Sequence, residues 1–291
     1  RSSCAFVIGN VLIIQHDLTG FQAVCQYLTT QNKQHNDDSL FFDYNIKMDK
    51  EVTIDGLHIF YQEFGKGNNN LLLLHGWGQS HAFWKDVIDR LSNDYHIYVL
   101  DFPGFGVSQE PPETWSLNEY SEFIHKFIST LHITDLAIIG HSFGGRIASV
   151  YASHYPVKKL VLYSNGGLPL MSLRNKCNKY IVVNVGRFLF PNFLYKSHTV
   201  IFKPKQYQNK VMINTKRSRR MLDIYSQPFY NLTQALEKIT SKTLIISGNQ
   251  DYIVSPKIGQ KINQLIKNSQ LVEIPTATHF AHLEASNVFF K

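Results

Sequence analysis

From residue 52 onward, short apolar runs alternate with segments in which apolar residues recur at helical spacing. The apolar runs lack the alternation of a half-buried strand, which is typical of parallel strands covered on both faces. The predicted strands are Val52–Ile54, Leu57–Phe64, Leu71–Leu74, His96–Leu100, Leu136–Ile139, Lys159–Tyr163, Thr243–Ser247 and Leu271–Ile274. The predicted helices are His81–Leu91, Leu117–Leu131, Gly145–His154 and Pro256–Ile266. Right-handed crossovers through these helices predict an α/β fold with a doubly wound, mostly parallel sheet.

Two local signals sharpen this pattern. The pair Asp55-Gly56 separates the first two strands and is typical of a tight hairpin turn. Ser116 and Glu119 stand three positions apart at the start of the second helix, which predicts a capping box. The hairpin and the helix start are therefore predicted independently of the hydrophobic pattern.

Two regions depart from the alternation. Residues 1–47 carry the polar run Gln31–Ser39 and no convincing partner strands, so they are predicted to form an extension. They are either a leading segment before a true start at Met48 or an amphipathic extension that packs on the body. Residues 166–228 are aromatic and basic, and they interrupt the pattern between the sixth and seventh strands. They are predicted to form a mainly helical cap, which leaves 48–165 and 229–291 as the core.

Composition narrows the class of protein. The chain has 291 residues, of which 44% are hydrophobic, enough for one large core with a sizeable insertion. Cys4, Cys25 and Cys177 are scattered and show no metal-ligand spacing, which favours a reducing, cytoplasmic location over a disulfide framework. No apolar run reaches the ~18 residues of a membrane-spanning helix. The run Cys4–Ile14 is followed by polar residues instead of a signal-peptide cleavage site.

The net charge of +7 is concentrated in the predicted cap. Between Gly167 and Ser226 there are twelve basic residues, and Asp223 is the only acid. Aromatic residues are interleaved with them, which is compatible with an apolar pocket whose basic rim draws an anionic substrate or an anionic membrane surface. A solvated basic face over a small aromatic core explains the composition equally well. Nucleic-acid binding is not expected because no recognition motif accompanies the charge, and the oligomeric state stays open.

The segment Gly140-His141-Ser142-Phe143-Gly144 has the pattern G-x-S-x-G. Such a pattern often arises by chance as a surface turn, but here an apolar strand runs into it and a helix runs out of it. A sharp turn between them must hold the serine in strained backbone angles, and only small flanking residues leave room. The turn projects the hydroxyl above the sheet at a helix N-terminus, which favours developing negative charge. Ser142 is therefore the predicted nucleophile.

A serine hydroxyl needs an adjacent base, and the base needs an orienting acid. His279 follows the last strand at the carboxyl edge of the sheet and is the predicted base. His282 is the close competitor, but it is expected to lie in the following helix and to point away. Asp251 lies in the loop after the seventh strand and is the predicted acid. A solvent-exposed loop histidine and a turn aspartate are the ordinary alternatives for these two residues.

An oxyanion hole requires two backbone N–H groups that meet the oxygen on which charge develops. The N–H of Phe143, directly after the nucleophile, is one predicted donor. The N–H of Trp77 is the other, because it lies in the glycine-containing loop His75–Gly78 after the third strand. No organic cofactor and no metal is predicted.

Taken together, these motifs closely resemble the α/β-hydrolase superfamily, in its serine esterase-like branch with a cap insertion. The matching segments are HGWG, DFPGFGVS, GHSFGG, SGNQD and H-x-x-x-x-E, and the resemblance covers roughly residue 52 to the end. It implies that Ser142, Asp251 and His279 form a catalytic triad. It also implies that Asp101 and Glu284 are structural positions.

The resemblance implies the oxyanion hole of Trp77 and Phe143 as well. Three features depart from the family pattern. Thr278 stands where relatives usually have glycine, the final helix is short, and the first 47 residues have no counterpart.

The predicted activity is hydrolysis of carboxylic esters of small to medium apolar acyl groups through an acyl-enzyme. The substrate is expected to be a small molecule. Epoxide hydrolases and haloalkane dehalogenases of this fold use an aspartate at the elbow, so the serine disfavours those reactions. A carbon–carbon bond hydrolase, an acyltransferase and a receptor-like ligand-binding protein with little turnover remain alternatives on the same framework.

Overall fold

The computed structural model describes residues 48–168 and 231–290, together with the four short strands 5–8, 11–14, 199–202 and 211–214. Eight strands of the two long ranges form one sheet. In chain order they are β1 Met48–Ile54, β2 Leu57–Phe64, β3 Asn69–Leu74, β4 Tyr95–Leu100, β5 Leu136–His141, β6 Lys159–Tyr163, β7 Lys242–Gly248 and β8 Ser269–Ile274. Their order across the sheet is β8-β7-β6-β5-β3-β4-β2-β1.

The sheet is mostly parallel, as predicted. The pairs β4–β3, β3–β5, β5–β6, β6–β7 and β7–β8 are parallel, whereas β2 is antiparallel to both β1 and β4. Asp55 and Gly56 connect β1 to β2 with φ angles of 49° and 78°. Two successive left-handed residues are what a two-residue hairpin of primed type requires, so the hairpin prediction is confirmed.

Helices connect the strands of the parallel part. A 3₁₀ turn, His81–Trp84, leads into the first of them; the α-helices are α1 Lys85–Leu91, α2 Leu117–Thr130, α3 Phe143–His154, α4 Thr233–Lys238, α5 Pro256–Leu265, α6 Ala281–Glu284 and α7 Ser286–Phe289. At the start of α2, the Glu119 carboxylate accepts the N–H of Ser116, which confirms the capping box. Within the described ranges, no helix has the length and apolarity needed to cross a bilayer.

The helices cover both faces of the sheet. Leu72 and Leu74 of β3 are fully buried among side chains of α2, α3, α4 and α5. Leu71 and Leu73 point to the opposite face and are buried among side chains of α1 and α6. Each of these two leucines is at most 2% exposed. Because each buried leucine contributes ~1.5–3 kcal/mol, both faces of this strand must be apolar. This double covering explains why the apolar runs show no alternation.

The chain divides into two compact units, one of residues 1–44 and 199–213 and the other of residues 45–198 and 214–291. In the first unit, strand Ala5–Ile8 pairs antiparallel with Val11–Ile14. Strands Thr199–Phe202 and Val211–Asn214 pair with each other. Most of the predicted cap and of the predicted extension lies outside the described residues. The three-part division at residues 47, 165 and 228 therefore stays a prediction.

Candidate active site

Ser142 occupies the turn between β5 and α3. Its φ of 50° and ψ of −107° lie in a sparsely populated region for a residue with a side chain. Its N–H donates to the Tyr163 carbonyl oxygen at 2.9 Å on β6, and its own carbonyl accepts the N–H of Arg146 at 3.1 Å in α3. These two bonds fasten the turn to the sheet and to the helix. Ser142 is half-buried at the carboxyl edge of the sheet.

The turn is possible because the backbones around it approach without intervening side chains. A Cβ atom at Gly144 would lie 2.2 Å from the Leu74 carbonyl oxygen, and one at Gly140 would lie 2.7 Å from the Gly144 carbonyl oxygen. In both cases the obstructing atom belongs to backbone that cannot move aside. Glycine is therefore required at both positions, and this steric requirement explains the two glycines of the G-x-S-x-G pattern.

His279 and Asp251 are joined by a hydrogen bond. His279 Nδ1 lies 2.7 Å from Asp251 Oδ2, and the two residues are 4% and 5% exposed. Asp251 Oδ1 accepts the N–H groups of Ile253 and Val254, each at 2.8 Å. An ionised carboxylate can only accept, so Nδ1 carries the proton and neutral His279 keeps a lone pair on Nε2. This is the tautomer that a general base requires.

The loop that carries His279 is fixed against the strands that flank Ser142. The His279 carbonyl oxygen lies 3.0 Å from His141 Nε2 and 3.1 Å from the Tyr163 hydroxyl. Tyr163 is also the residue whose carbonyl holds the Ser142 N–H. The structure thus brings the histidine loop to the residues on either side of the elbow.

Thr278, which departs from the family pattern, has its own support. Its N–H and its hydroxyl donate to the two carboxylate oxygens of Glu284, each at 2.6 Å. On the other side, a Cβ atom at Gly248 would lie 2.2 Å from the Thr278 carbonyl oxygen. The loop is consequently clamped between the end of β7 and helix α6, and threonine fits there because its hydroxyl has an acceptor.

The two predicted oxyanion-hole residues lie beside each other. The rings of Trp77 and Phe143 are 5.4 Å apart at an interplanar angle of 89°. Phe143 is the first residue of α3, so its N–H has no acceptor within the helix. In the loop of Trp77, the Gly76 N–H donates to Gln79 Oε1 at 2.7 Å, and Gly78 has a φ of 70°. That the N–H groups of Trp77 and Phe143 serve an oxyanion stays a prediction.

A family model described as the alpha/beta hydrolase fold matches residues 69–195 and 197–286. The chain belongs to the α/β-hydrolase fold family. This confirms the resemblance predicted from the motifs. The observed strand order and the interruption between the sixth and seventh sheet strands agree with it.

Individual relatives of this α/β hydrolase carry hydrolase names. The chain is 26% identical over 256 residues to a bifunctional esterase/perhydrolase of Acinetobacter calcoaceticus, covering 78% of this chain and 91% of the relative. It is 26% identical over 259 residues to the pimeloyl-[acyl-carrier protein] methyl ester esterase of Wigglesworthia glossinidia brevipalpis, covering 80% and 95%. The solved esterase of Exiguobacterium antarcticum shares the fold with a TM-score of 0.67 at 22% identity, covering 83% and 96%.

This α/β hydrolase has a second aspartate–histidine pair, which the sequence did not predict. Asp101 follows β4, and its Oδ1 accepts the N–H of His81 at 2.6 Å and lies 2.9 Å from His81 Nδ1. Its Oδ2 accepts the Val107 N–H at 2.9 Å. Burial alone raises the pKa of Asp101, but the bonds from His81 and Val107 and the nearby His75 outweigh burial and lower it. Asp101 thus fastens two loops, in agreement with a structural position.

The remaining histidines near the site are buried and neutral. Burial lowers the pKa of His75 to about 4, and its Nε2 accepts the Phe102 N–H at 3.1 Å. Burial likewise lowers the pKa of His282 to about 4. His282 lies in α6 as expected, and its ring nitrogens meet the Tyr163 hydroxyl at 3.1 Å and the Phe83 carbonyl at 3.3 Å. Neither nitrogen meets a carboxylate, so the geometry favours His279 over its competitor.

Proposed function

We propose that this α/β hydrolase is a serine hydrolase that cleaves small-molecule carboxylic esters through an acyl-enzyme. The observation that carries the proposal is the strained turn of Ser142 at the same sheet edge as the hydrogen-bonded pair of His279 and Asp251. A nucleophile on a strained turn and a base oriented by an acid are the parts that acyl transfer needs. The esterase names of several relatives support the same reaction class.

In the proposed mechanism, Ser142 Oγ attacks the ester carbonyl carbon while His279 Nε2 takes the hydroxyl proton. The N–H groups of Trp77 and Phe143 stabilise the oxyanion of the tetrahedral intermediate. When the intermediate collapses, the carbon–oxygen bond breaks and His279 gives its proton to the departing alcohol. Water then attacks the acyl-enzyme with His279 as base, which releases the acid and restores Ser142.

Asp251 acts on this mechanism through His279. Its carboxylate fixes the ring so that Nε2 is the basic nitrogen, and it stabilises the imidazolium that forms in both steps. Because Asp251 also accepts two backbone N–H groups, it is itself held in one orientation. Asp251 and His279 are therefore already aligned with each other before the substrate reacts.

The proposed acyl group is apolar and of small to medium size. Around the proposed oxyanion loop, the aromatic ring of Phe105 lies 5.4 Å from Trp77 and 5.8 Å from Phe143. Phe105 and Phe143 are 2% and 3% exposed, and we infer that these rings form the apolar side of the acyl site. The twelve basic residues of the predicted cap lie outside the described residues, so a contact of the cap with anionic groups stays part of the proposal.

A fluorophosphonate probe tests the nucleophile. The purified protein and its Ser142→Ala variant are incubated with the probe, and turnover of p-nitrophenyl esters is followed over a series of acyl lengths. We expect the wild type to be labelled and to turn over the shorter esters. The variant should lose labelling and about 10⁴-fold or more of kcat. A well-folded wild type that is neither labelled nor active would refute the proposal and favour a ligand-binding role.

A further inference from the structure

His141, the residue before the nucleophile, connects two loops of the site. It is 1% exposed. Its Nε2 lies 3.0 Å from the His279 carbonyl oxygen, and its Nδ1 lies 3.1 Å from Gln79 Oε1. The Phe83 ring stacks on it at 4.6 Å and 24°. The plane of the His141 ring is thereby fixed, and both nitrogens are aimed at neighbouring loops.

The His279 carbonyl oxygen favours a proton on His141 Nε2. The Phe83 carbonyl can only accept, so His282 Nε2 carries the His282 proton and Nδ1 accepts. The Tyr163 hydroxyl donates to the His279 carbonyl oxygen at 3.1 Å and also lies 3.1 Å from His282 Nδ1. The carbonyl oxygen has two lone pairs, and His141 Nε2, at 3.0 Å, is placed to donate to the second.

The opposite edge of the ring meets the proposed oxyanion loop. Gln79 Oε1 already accepts the Gly76 N–H at 2.7 Å. A Cβ atom at Gly76 would lie 2.7 Å from both Gln79 Oε1 and His141 Nδ1, so the ring and the loop are in tight contact. Burial, with the neighbouring His279 and His282, lowers the pKa of His141 well below 6.5. Neutral His141 has a single proton, and Gln79 Oε1 can only accept, so a proton on Nε2 leaves no hydrogen bond on this side. Here the ring contacts the loop by packing alone.

We propose that His141 is a positioning residue. It donates its Nε2–H to the His279 carbonyl oxygen and so fixes the position of the proposed base, His279, relative to Ser142. The inference rests on the proposed function, since it assigns His279 the role of base. His141 touches neither substrate nor reacting atoms. Its contribution is to keep the His279 loop from shifting relative to the elbow, a misplacement that costs turnover when the base must meet the nucleophile.

Three variants test which edge of the ring matters. Glutamine places an amide N–H near the position of histidine Nε2, asparagine places one near Nδ1, and phenylalanine keeps a ring without donors. We expect His141→Phe and His141→Asn to lower kcat about tenfold with KM within twofold, because one hydrogen bond that aligns the base is lost. We expect His141→Gln to keep kcat within about threefold of the wild type.

The matched control is His125→Phe. His125 is a half-buried histidine of α2 whose ring stacks on Tyr155 at 4.0 Å, and among the described residues its buried Nδ1 has no hydrogen-bond partner. The same exchange there should leave kcat unchanged. If Asn retains activity and Gln does not, the Gln79 side is the functional edge and the proposal is wrong. Equal losses in all three variants, or no loss in any, would also overturn it.

Hydrogen exchange separates failure of this inference from failure of the proposed function. In His141→Phe, the backbone amides of Ala277–Phe280 should exchange at least tenfold faster than in the wild type and in His125→Phe. This measurement needs no turnover. If the wild type is inactive but these amides lose protection in His141→Phe, the proposed function is wrong and the positioning role of His141 is supported. If the wild type is active and the protection in His141→Phe is unchanged, only the positioning role is wrong.

Discussion

Two aspartate–histidine pairs at one edge of the sheet are built alike but lie in different surroundings. Asp101 and Asp251 each follow a strand, and each accepts a histidine Nδ1 and two backbone N–H groups. His81 packs against the Phe60 ring at 4.8 Å, and its side chain is 23% exposed. The side chain of His279 is 5% exposed, and its ring lies 4.8 Å from that of His141, the residue before Ser142.

The difference teaches that the pair itself does not define a catalytic site. A carboxylate that accepts three hydrogen bonds is a general means of fixing loops at the end of a parallel strand. In the proposed mechanism the same unit serves catalysis, because the loop of its histidine contacts His141 and Tyr163, which flank the strained Ser142. Asp101 and Asp251 should therefore respond to the same substitution in opposite ways, one in stability and the other in turnover.

The largest effect is expected for Asp251→Asn. An amide at this position changes the tautomer of His279, so kcat should fall by about 10⁴-fold. The melting temperature should change much less, because the amide oxygen of asparagine can still accept the two backbone N–H groups that Oδ1 accepts, and its amide N–H can donate to His279 Nδ1. Stopped assays with p-nitrophenyl esters and thermal unfolding of the same samples measure both quantities. A fall in kcat of less than tenfold would show that Asp251 does not orient the base.

Asp101→Asn should have the opposite profile. The amide cannot accept all the bonds that the buried carboxylate accepts, so the free energy of unfolding should fall by about 2–4 kcal/mol. The kcat of the folded fraction should stay within about tenfold of the wild type, since Asp101 holds loops and not the base. Urea unfolding and active-site titration check these values. If activity is lost without destabilisation, the two pairs have the same role.

A smaller effect concerns pH. The pKa of Asp101 is lowered in the folded protein. Its stabilisation is therefore complete above its unfolded-state pKa of about 3.9 and is lost as the pH falls through the depressed folded value. The difference in unfolding free energy between wild type and Asp101→Asn should narrow as the pH is lowered from about 5 toward 3. A difference that stays constant or widens over this range would contradict the assignment.

The sequence predicted those parts of the fold that depend on local signals. The strand Lys159–Tyr163 was predicted with its observed bounds, and the helix predicted at Pro256–Ile266 ends one residue earlier. Buried strands and tight turns leave marks in neighbouring residues, and this is why they can be recognised. The elbow of Ser142 was predictable for the same reason, because its strand, turn and helix are contiguous.

The partners of the site residues could not be predicted in the same way. His81 is 20 residues from Asp101, Gln79 is 62 residues from His141, and His279 is 138 residues from His141. Hydrogen bonds over such separations depend on how the strands are ordered in the sheet, which no local pattern encodes. The sequence therefore shows that His141 belongs to the G-x-S-x-G turn, but it contains no signal for the contact of His141 with the histidine loop.

The lack of space at Gly144 bears on how this hydrolase could be given new specificities. A mutant library that randomises Gly140 and Gly144, on either side of Ser142, would yield mostly unfolded clones, since a single methyl group at Gly144 would overlap the Leu74 carbonyl oxygen. Val107, at the same edge of the sheet, is 67% exposed, and Tyr252 is 56% exposed. Substitutions at Val107 and Tyr252 should lower the free energy of unfolding only slightly. These two positions are therefore the better starting points for directed evolution.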